Sequence, residues 1–227
     1  MAKCDLKEHD MHKRDIIFTV NMQERLHVFL PSKLEDIVGF DRVKVVYVKD
    51  GVCEQVICLN DVFVEFVEVL DIALKEALTG RCKLDESLEE NLGYLWNVYL
   101  NSFRRVRSYK NIKDWIGQKY LLRSLHGVAS WFYEKDGKFL LEVTPVYKWH
   151  SLDPEPEEKG EYVTYKQFMK SYKSYVVTEL SRETICEWLE QTKYLLALIE
   201  CNDDKYLVRD EDMIEKYKAF MEVKKDE

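Results

Sequence analysis

"WFYEKDGKFLLEVTPVYKW", residues 131–149, sets Trp131, Phe132, Tyr133, Phe139, Tyr147 and Trp149 around one Asp136-Gly137 pair. Asp-Gly between runs of aromatic and β-branched residues supplies the two positive-φ positions of a tight hairpin. A two-residue loop there pairs Tyr133 with Leu140, Phe132 with Leu141 and Trp131 with Glu142. Val128, Phe132, Phe139, Leu141 and Val143 then share one face. Trp131, Tyr133 and Leu140 take the other, beside Glu142 and Thr144. A half-wet strand alternates apolar and polar residues, and this hairpin does not. It either lies centrally in a sheet with both faces covered or offers one face to a partner. Burial within the fold is the expectation.

The segment before it has the same character. "DIIFTVNMQERLHVFLP" (15–31) reads as a strand or hairpin closed by Pro31, and "VKVVYVKDGVCEQVICL" (43–59) as a hairpin around Asp50-Gly51. In that register Val46 and Val48 share a face with Cys53 and Ile57. Val43, Val45 and Tyr47 share the other with Val52, Val56 and Cys58.

Between the hairpins the period changes. Phe63, Phe66, Val67, Leu70, Leu74, Ala77 and Leu78 recur at helical spacing. Asn60 or Asp61 can cap that helix and Gly80 ends it. Glu65, Glu68, Asp71 and Glu76 mark its wetter side, with Asp71 spaced to pair with Lys75. A second helix is predicted from near Ser87 through Phe103, with Leu88, Leu92, Leu95, Trp96 and Tyr99 on one side and Gly93 as its weak point. From Lys119 the chain is expected to be extended.

"HSLDPEPEEKGEY" (150–162) is a solvated acidic loop. "TYKQFMKSYKSY" (164–175) suggests a short helix, and "YVVTEL" (175–180) a strand. Ser181 caps a helix whose Ile185, Trp188, Leu189, Leu195, Leu196 and Ile199 form a core stripe, and "NDD" (202–204) is expected to stop it. A charged final helix from about Asp210 to Val223 follows. These elements predict an α+β fold, a mostly antiparallel sheet of hairpins packed against several helices. One domain spans 1–227, with a mobile N-terminus at about 1–14 and the acidic loop at 150–162.

Composition narrows the chemistry. The six cysteines, Cys4, Cys53, Cys58, Cys82, Cys186 and Cys201, form no CxxC pair, so reduced thiols in a cytoplasmic protein are the simpler reading. No stretch approaches the roughly 18 uncharged apolar residues of a membrane span. The N-terminus is charged and lacks a secretory signal. A net charge of −8 and a pI near 5.3 repel phosphate backbones and suit basic partners. The one basic-aromatic stretch, "FRRVRSYKNIK" (103–113), could grip RNA, but nucleic acid is not the expected partner.

Phosphate loops, HExxH, EF-hand and nucleophile-elbow signatures are missing from the sequence. Cys4, His9, Asp10 and His12 read as a polar tail, and His27, His126 and His150 as isolated hydrogen-bonded side chains. No catalytic residue, metal site, cofactor or small-molecule substrate is expected.

Three segments, "ENLGYLWNVYLNSF" (90–103), the 131–149 hairpin and "LSRETICEWLEQTKYLLALIE" (180–200), resemble in their order and intervening acidic loop bacterial proteins encoded beside polymorphic toxins. They are similar to immunity proteins of contact-dependent growth inhibition systems. The resemblance spans about residues 87 to 200 and transfers no functional residue by position. It implies a cytoplasmic, non-catalytic protein that covers the active site of a cognate toxin domain, often a basic nuclease. On that reading the contact surface is sought at aromatic anchors ringed by carboxylates. Tyr147 and Trp149, with Asp153, Glu155, Glu157, Glu158 and Glu161, are the candidates. A solvated loop that touches nothing, and a small cytosolic enzyme of unrecognised type, stand as the alternatives.

Overall fold

The computed structural model describes residues 14–88, 91–103, 115–125, 127–149, 160 and 162–209. It contains two antiparallel four-stranded sheets. The first runs in sequence order: β1 (Asp15–Thr19), β2 (Glu24–Phe29), β3 (Arg42–Lys49) and β4 (Val52–Val62). α1 (Phe63–Leu78), α2 (Leu92–Phe103) and α3 (Trp115–Tyr120) follow. The second sheet is β5 (Leu121–Leu125), β6 (Val128–Lys135), β7 (Lys138–Pro145) and β8 (Val176–Leu180), with α4 (Tyr165–Lys170) before β8 and α5 (Arg182–Arg209) after it. The fold is α+β. Among the described residues no helix is long and apolar enough to cross a membrane.

The 131–149 hairpin is β6–β7, in the expected register: Trp131 opposite Glu142, Phe132 opposite Leu141, Tyr133 opposite Leu140. Asp136 and Gly137 take φ of 52° and 74°, the left-handed pair that such a loop requires. Both strands lie inside the sheet between β5 and β8, and both faces are covered. Phe132, Leu141 and Val143 enter the main core with α1, α5 and the inner face of the first sheet. Trp131, Tyr133 and Ala129 enter a second core closed by Leu92 of α2 and by Ile116 and Tyr120 of α3. Trp131 is fully buried, which is worth roughly 2–3 kcal/mol for an apolar side chain of that size.

The β3–β4 hairpin departs from the simple register. Asp50 and Gly51 form the positive-φ turn as expected, at 49° and 79°. Val48 faces Cys53, but Val46 then stands opposite Val56, and Val45 opposite Cys58. β4 is eleven residues long against eight in β3, and the surplus is absorbed by register shifts along the pair. The irregularity lets two sequence neighbours, Ile57 and Cys58, both reach the main core.

Helix ends follow tertiary contacts more than local signals. α1 starts after Val62, without a side-chain cap. Its first amides are taken by a loop: Phe63 N donates to Asp41 O and Val64 N to Gly39 O, both at 2.9 Å. Asp71 does pair with Lys75, at 2.5 Å, but it is buried and not on a wet side. α5 packs over it, and the Thr192 hydroxyl donates to its carboxylate at 3.0 Å. α2 begins at Leu92 and not near Ser87, because Asn91 Oδ1 accepts from Gly93 N and Tyr94 N. α3 was not expected; its six residues end where β5 begins.

The "NDD" sequence does not stop α5. Asn202 Nδ2 donates to Ile37 O, and Asp203 Oδ1 accepts from Gly39 N, each at 2.9 Å. Side chains that would terminate an isolated helix are engaged by the 37–39 loop, and the helix continues to Arg209. The expected final helix, the N-terminal cluster around His9 and His12, and the basic stretch from Arg104 lie outside the described residues.

Candidate functional site

Of the expected contact residues, Tyr147 and Trp149 fall just past the end of β7. Val146 N donates to Gly127 O, and the buried amide of Asn97 brackets the exit: its Nδ2 donates to Pro145 O, and its Oδ1 accepts from Tyr147 N at 2.7 Å. Tyr147 and Trp149 are therefore held on the fold and are buried, at 5% and 8% exposure.

The two rings meet edge to face at 5.7 Å. Tyr147 packs on Tyr165 and Phe168 of α4, at 5.5 and 5.4 Å, and its hydroxyl donates to Val163 O at 3.0 Å. Trp149 meets Tyr162 at 5.2 Å. Phe168 continues to Tyr172, and Tyr172 to Tyr94 of α2. The result is an aromatic ledge, each ring pair worth about 0.5–1.5 kcal/mol beyond its buried area.

Asp153, Glu155, Glu157, Glu158 and Glu161 lie outside the described residues. Both ends of their segment are fixed on the ledge, at Trp149 and at Tyr162–Val163. The ledge has an exposed apolar rim in Tyr162 and Val163, while Tyr175 and Val177 of the β8 region are also exposed. Lys166 and Lys170 occupy the outer side of α4.

Beneath the ledge lies a polar network that the sequence reading did not anticipate. Glu142 is almost wholly buried in the second sheet. Its Oε1 accepts from Ser174 Oγ at 2.6 Å and from Asn91 Nδ2, and its Oε2 from the Tyr133 hydroxyl at 2.8 Å. Tyr172 donates to Asn91 Oδ1 at 2.8 Å, and Trp131 Nε1 to Thr144 Oγ1 at the same distance. A buried carboxylate tolerates this site because donors reach both of its oxygens. Burial pushes the Tyr133 phenol up, and the Glu142 charge adds to the effect. Burial also raises Tyr172, against an opposing hydrogen bond with Thr144. Both hydroxyls therefore stay protonated as donors.

A second charged cluster joins the sheets. Arg123 of β5 donates through Nε to Asp61 Oδ2 at 2.6 Å, through Nη2 to Asp61 Oδ1, and to Glu65 Oε2 at 2.8 Å. Burial, with the Asp61 carboxylate next, pushes the neighbouring Cys58 thiol up to about 12. Such a thiol is not a nucleophile at neutral pH. His27 sits 2.7 Å from Asp15 and stacks on Phe29.

Among the described residues no group of three or more His, Cys, Asp or Glu side chains could hold a metal ion. An open groove of about 420 Å³ lies between β1 and α5, lined by Asp15, Ile17, Gln191 and Tyr194 among others. Another, of about 510 Å³, separates the end of α1 from the start of α5 and contains the 2.7 Å Lys138–Glu179 pair. No known protein family, curated protein or solved structure matches the chain.

Proposed function

We propose that this chain is a cytoplasmic, non-catalytic immunity protein that neutralises a cognate bacterial toxin domain, a nuclease, by covering its active site. The observation that carries the reading is the ledge: both ends of a strongly acidic segment are fixed on one aromatic platform whose rim leaves Tyr162 and Val163 exposed. Aromatic anchors beside carboxylates suit a basic protein surface, with the apolar groups supplying affinity and the charges steering the encounter. The net charge of −8 acts in the same direction. In this reading Tyr147 and Trp149 support the surface from below, while Tyr162 and the acidic residues 153–161 meet the partner.

The test is co-purification with the toxin domain encoded in the adjacent reading frame, followed by rescue of cells that express the toxin. Binding with rescue is expected; no binding at micromolar concentration together with no rescue would remove the proposal. Reversing Glu155, Glu157 and Glu158 together is expected to slow association and flatten its salt dependence. Unchanged on-rates would mean that this segment does not steer.

A further inference from the structure

Three of the four sheet edges meet cover inside the molecule. Along β1, Trp188 and Gln191 of α5 donate to Thr19 O and Ile17 O. β4 and β5 lie side by side, joined by the Arg123–Asp61 ion pair. β8 is the fourth edge. Its inner side pairs with β7, from Leu180 opposite Phe139 to Val176 opposite Val143, and Tyr175 N adds a 2.8 Å bond to Val143 O. Among the described residues no hydrogen bond reaches the backbone of its outer side. The strand is nonetheless fixed: Val176 and Leu180 are buried in the main core, and Thr178 is held by Glu24. Tyr175 and Val177 stand along that edge at 53% and 57% exposure.

Soluble proteins ordinarily blunt an edge strand with a lysine, a proline or a cover. β8, "VVTEL" (176–180), has neither lysine nor proline, and its one charge, Glu179, is paired with Lys138 at 2.7 Å. A rigid row of unpaired amides and carbonyls is complementary to one kind of group, the edge of another extended strand. We infer that this strand is β8 of a second copy of the chain, paired antiparallel about a two-fold axis. Two observations select the second copy. The Lys138–Glu179 pair leaves the edge neutral, so it does not draw the basic surface that the acidic chain otherwise suits. The exposed row is also complementary to itself when reversed. With Val177 on the axis, Val177 meets Val177 and Tyr175 meets Glu179 of the other copy, so like charges never face each other. The two second sheets then join into one of eight strands, within the usual size of an open sheet. Only one five-residue strand meets its copy, so the dimer is weak, with a Kd on the order of 100 µM. The contact does not depend on the toxin reading.

The experiment is sedimentation equilibrium of the full chain from about 5 to about 500 µM, beside Val177→Thr and Val177→Lys. The wild type is expected to dimerise. Val177→Thr keeps a β-branched edge and is expected to match it within about twofold, whereas Val177→Lys is expected to dimerise at least about tenfold more weakly. Val177→Cys supplies a second readout that does not need the lysine variant to fold. Mild oxidation is expected to link position 177 to itself across the axis, which peptide mass spectrometry separates from links through the exposed Cys186 and Cys201. A monomer at every concentration would overturn the inference, as would a dimer that Val177→Lys leaves unchanged. A wild-type monomer whose β8 amides gain exchange protection only when the inactivated toxin domain is added would assign the edge to that partner. That result overturns the second copy and leaves the proposed function standing.

Discussion

Thr178 of β8 donates a 2.8 Å hydrogen bond to Glu24 at the start of β2, so one carboxylate ties the edge of the second sheet to the first. Burial disfavours the Glu24 charge, but Thr178, Lys49, Asn21 and Tyr47 outweigh it and hold the carboxyl at about 2, against an ordinary 4.5. Between those values the unfolded chain binds a proton that the folded chain refuses. The stabilisation is therefore complete above about 4.5 and is lost as the pH falls towards 2. Glu24→Gln is expected to lower stability at neutral pH by about 1–3 kcal/mol and to flatten the acid limb of a urea-unfolding series. An unchanged acid limb would rule Glu24 out as its source.

Gly93 reverses a general rule. Within a helix, Gly→Ala ordinarily stabilises by about 1 kcal/mol. Here a Cβ would collide with Thr144 Oγ1 and the Tyr172 hydroxyl, because the first turn of α2 lies directly on β7. Both groups also belong to the buried network around Asn91 and Glu142. Gly93→Ala is predicted to destabilise by about 1–3 kcal/mol and to broaden the NMR signals of the Trp131 indole. A higher melting temperature would show that the helix simply moves away.

The thiols should separate sharply under alkylation. Cys58 and Cys82 are buried, and burial raises their thiols to about 12 and about 11. Cys186 and Cys201 lie exposed on α5. Iodoacetamide at pH 8 is expected to modify Cys186 and Cys201 within minutes and the buried pair only on global unfolding, as read by peptide mass spectrometry. Arg123→Ala, which leaves the buried Asp61 without its cation, is expected to accelerate labelling of Cys58.

Much of this architecture was legible because local rules and packing agree. The two Asp-Gly turns set their hairpins, and the Trp131–Glu142 register followed by counting. The α1 stripe and the Ser181 cap were read from spacing alone, and Thr184 N does donate to Ser181 Oγ at 3.0 Å. The misses occur where distant residues replace a local signal. Asn202 and Asp203 look like a helix stop until the 37–39 loop engages them, and Asp71 looks solvated until Thr192 arrives from α5. The surface was harder still. Tyr147 and Trp149 read equally well as anchors or as packing, because the letters cannot say whether α4 covers them. Gly93 was the one visible hint of the buried network, a helix-weakening residue where the side chains of Thr144 and Tyr172 press against the helix.

Trp188 Nε1 donates to Thr19 O and Gln191 Nε2 to Ile17 O, so α5 closes the open edge of β1. These contacts span 169 and 174 residues. On a translating ribosome the first sheet would emerge complete and then wait roughly six to twenty-five seconds for the helix that seals it. Its bare edge and inner face would spend that interval open to other nascent chains. Yield during synthesis, more than equilibrium stability, is where a weakened α5 would first be felt.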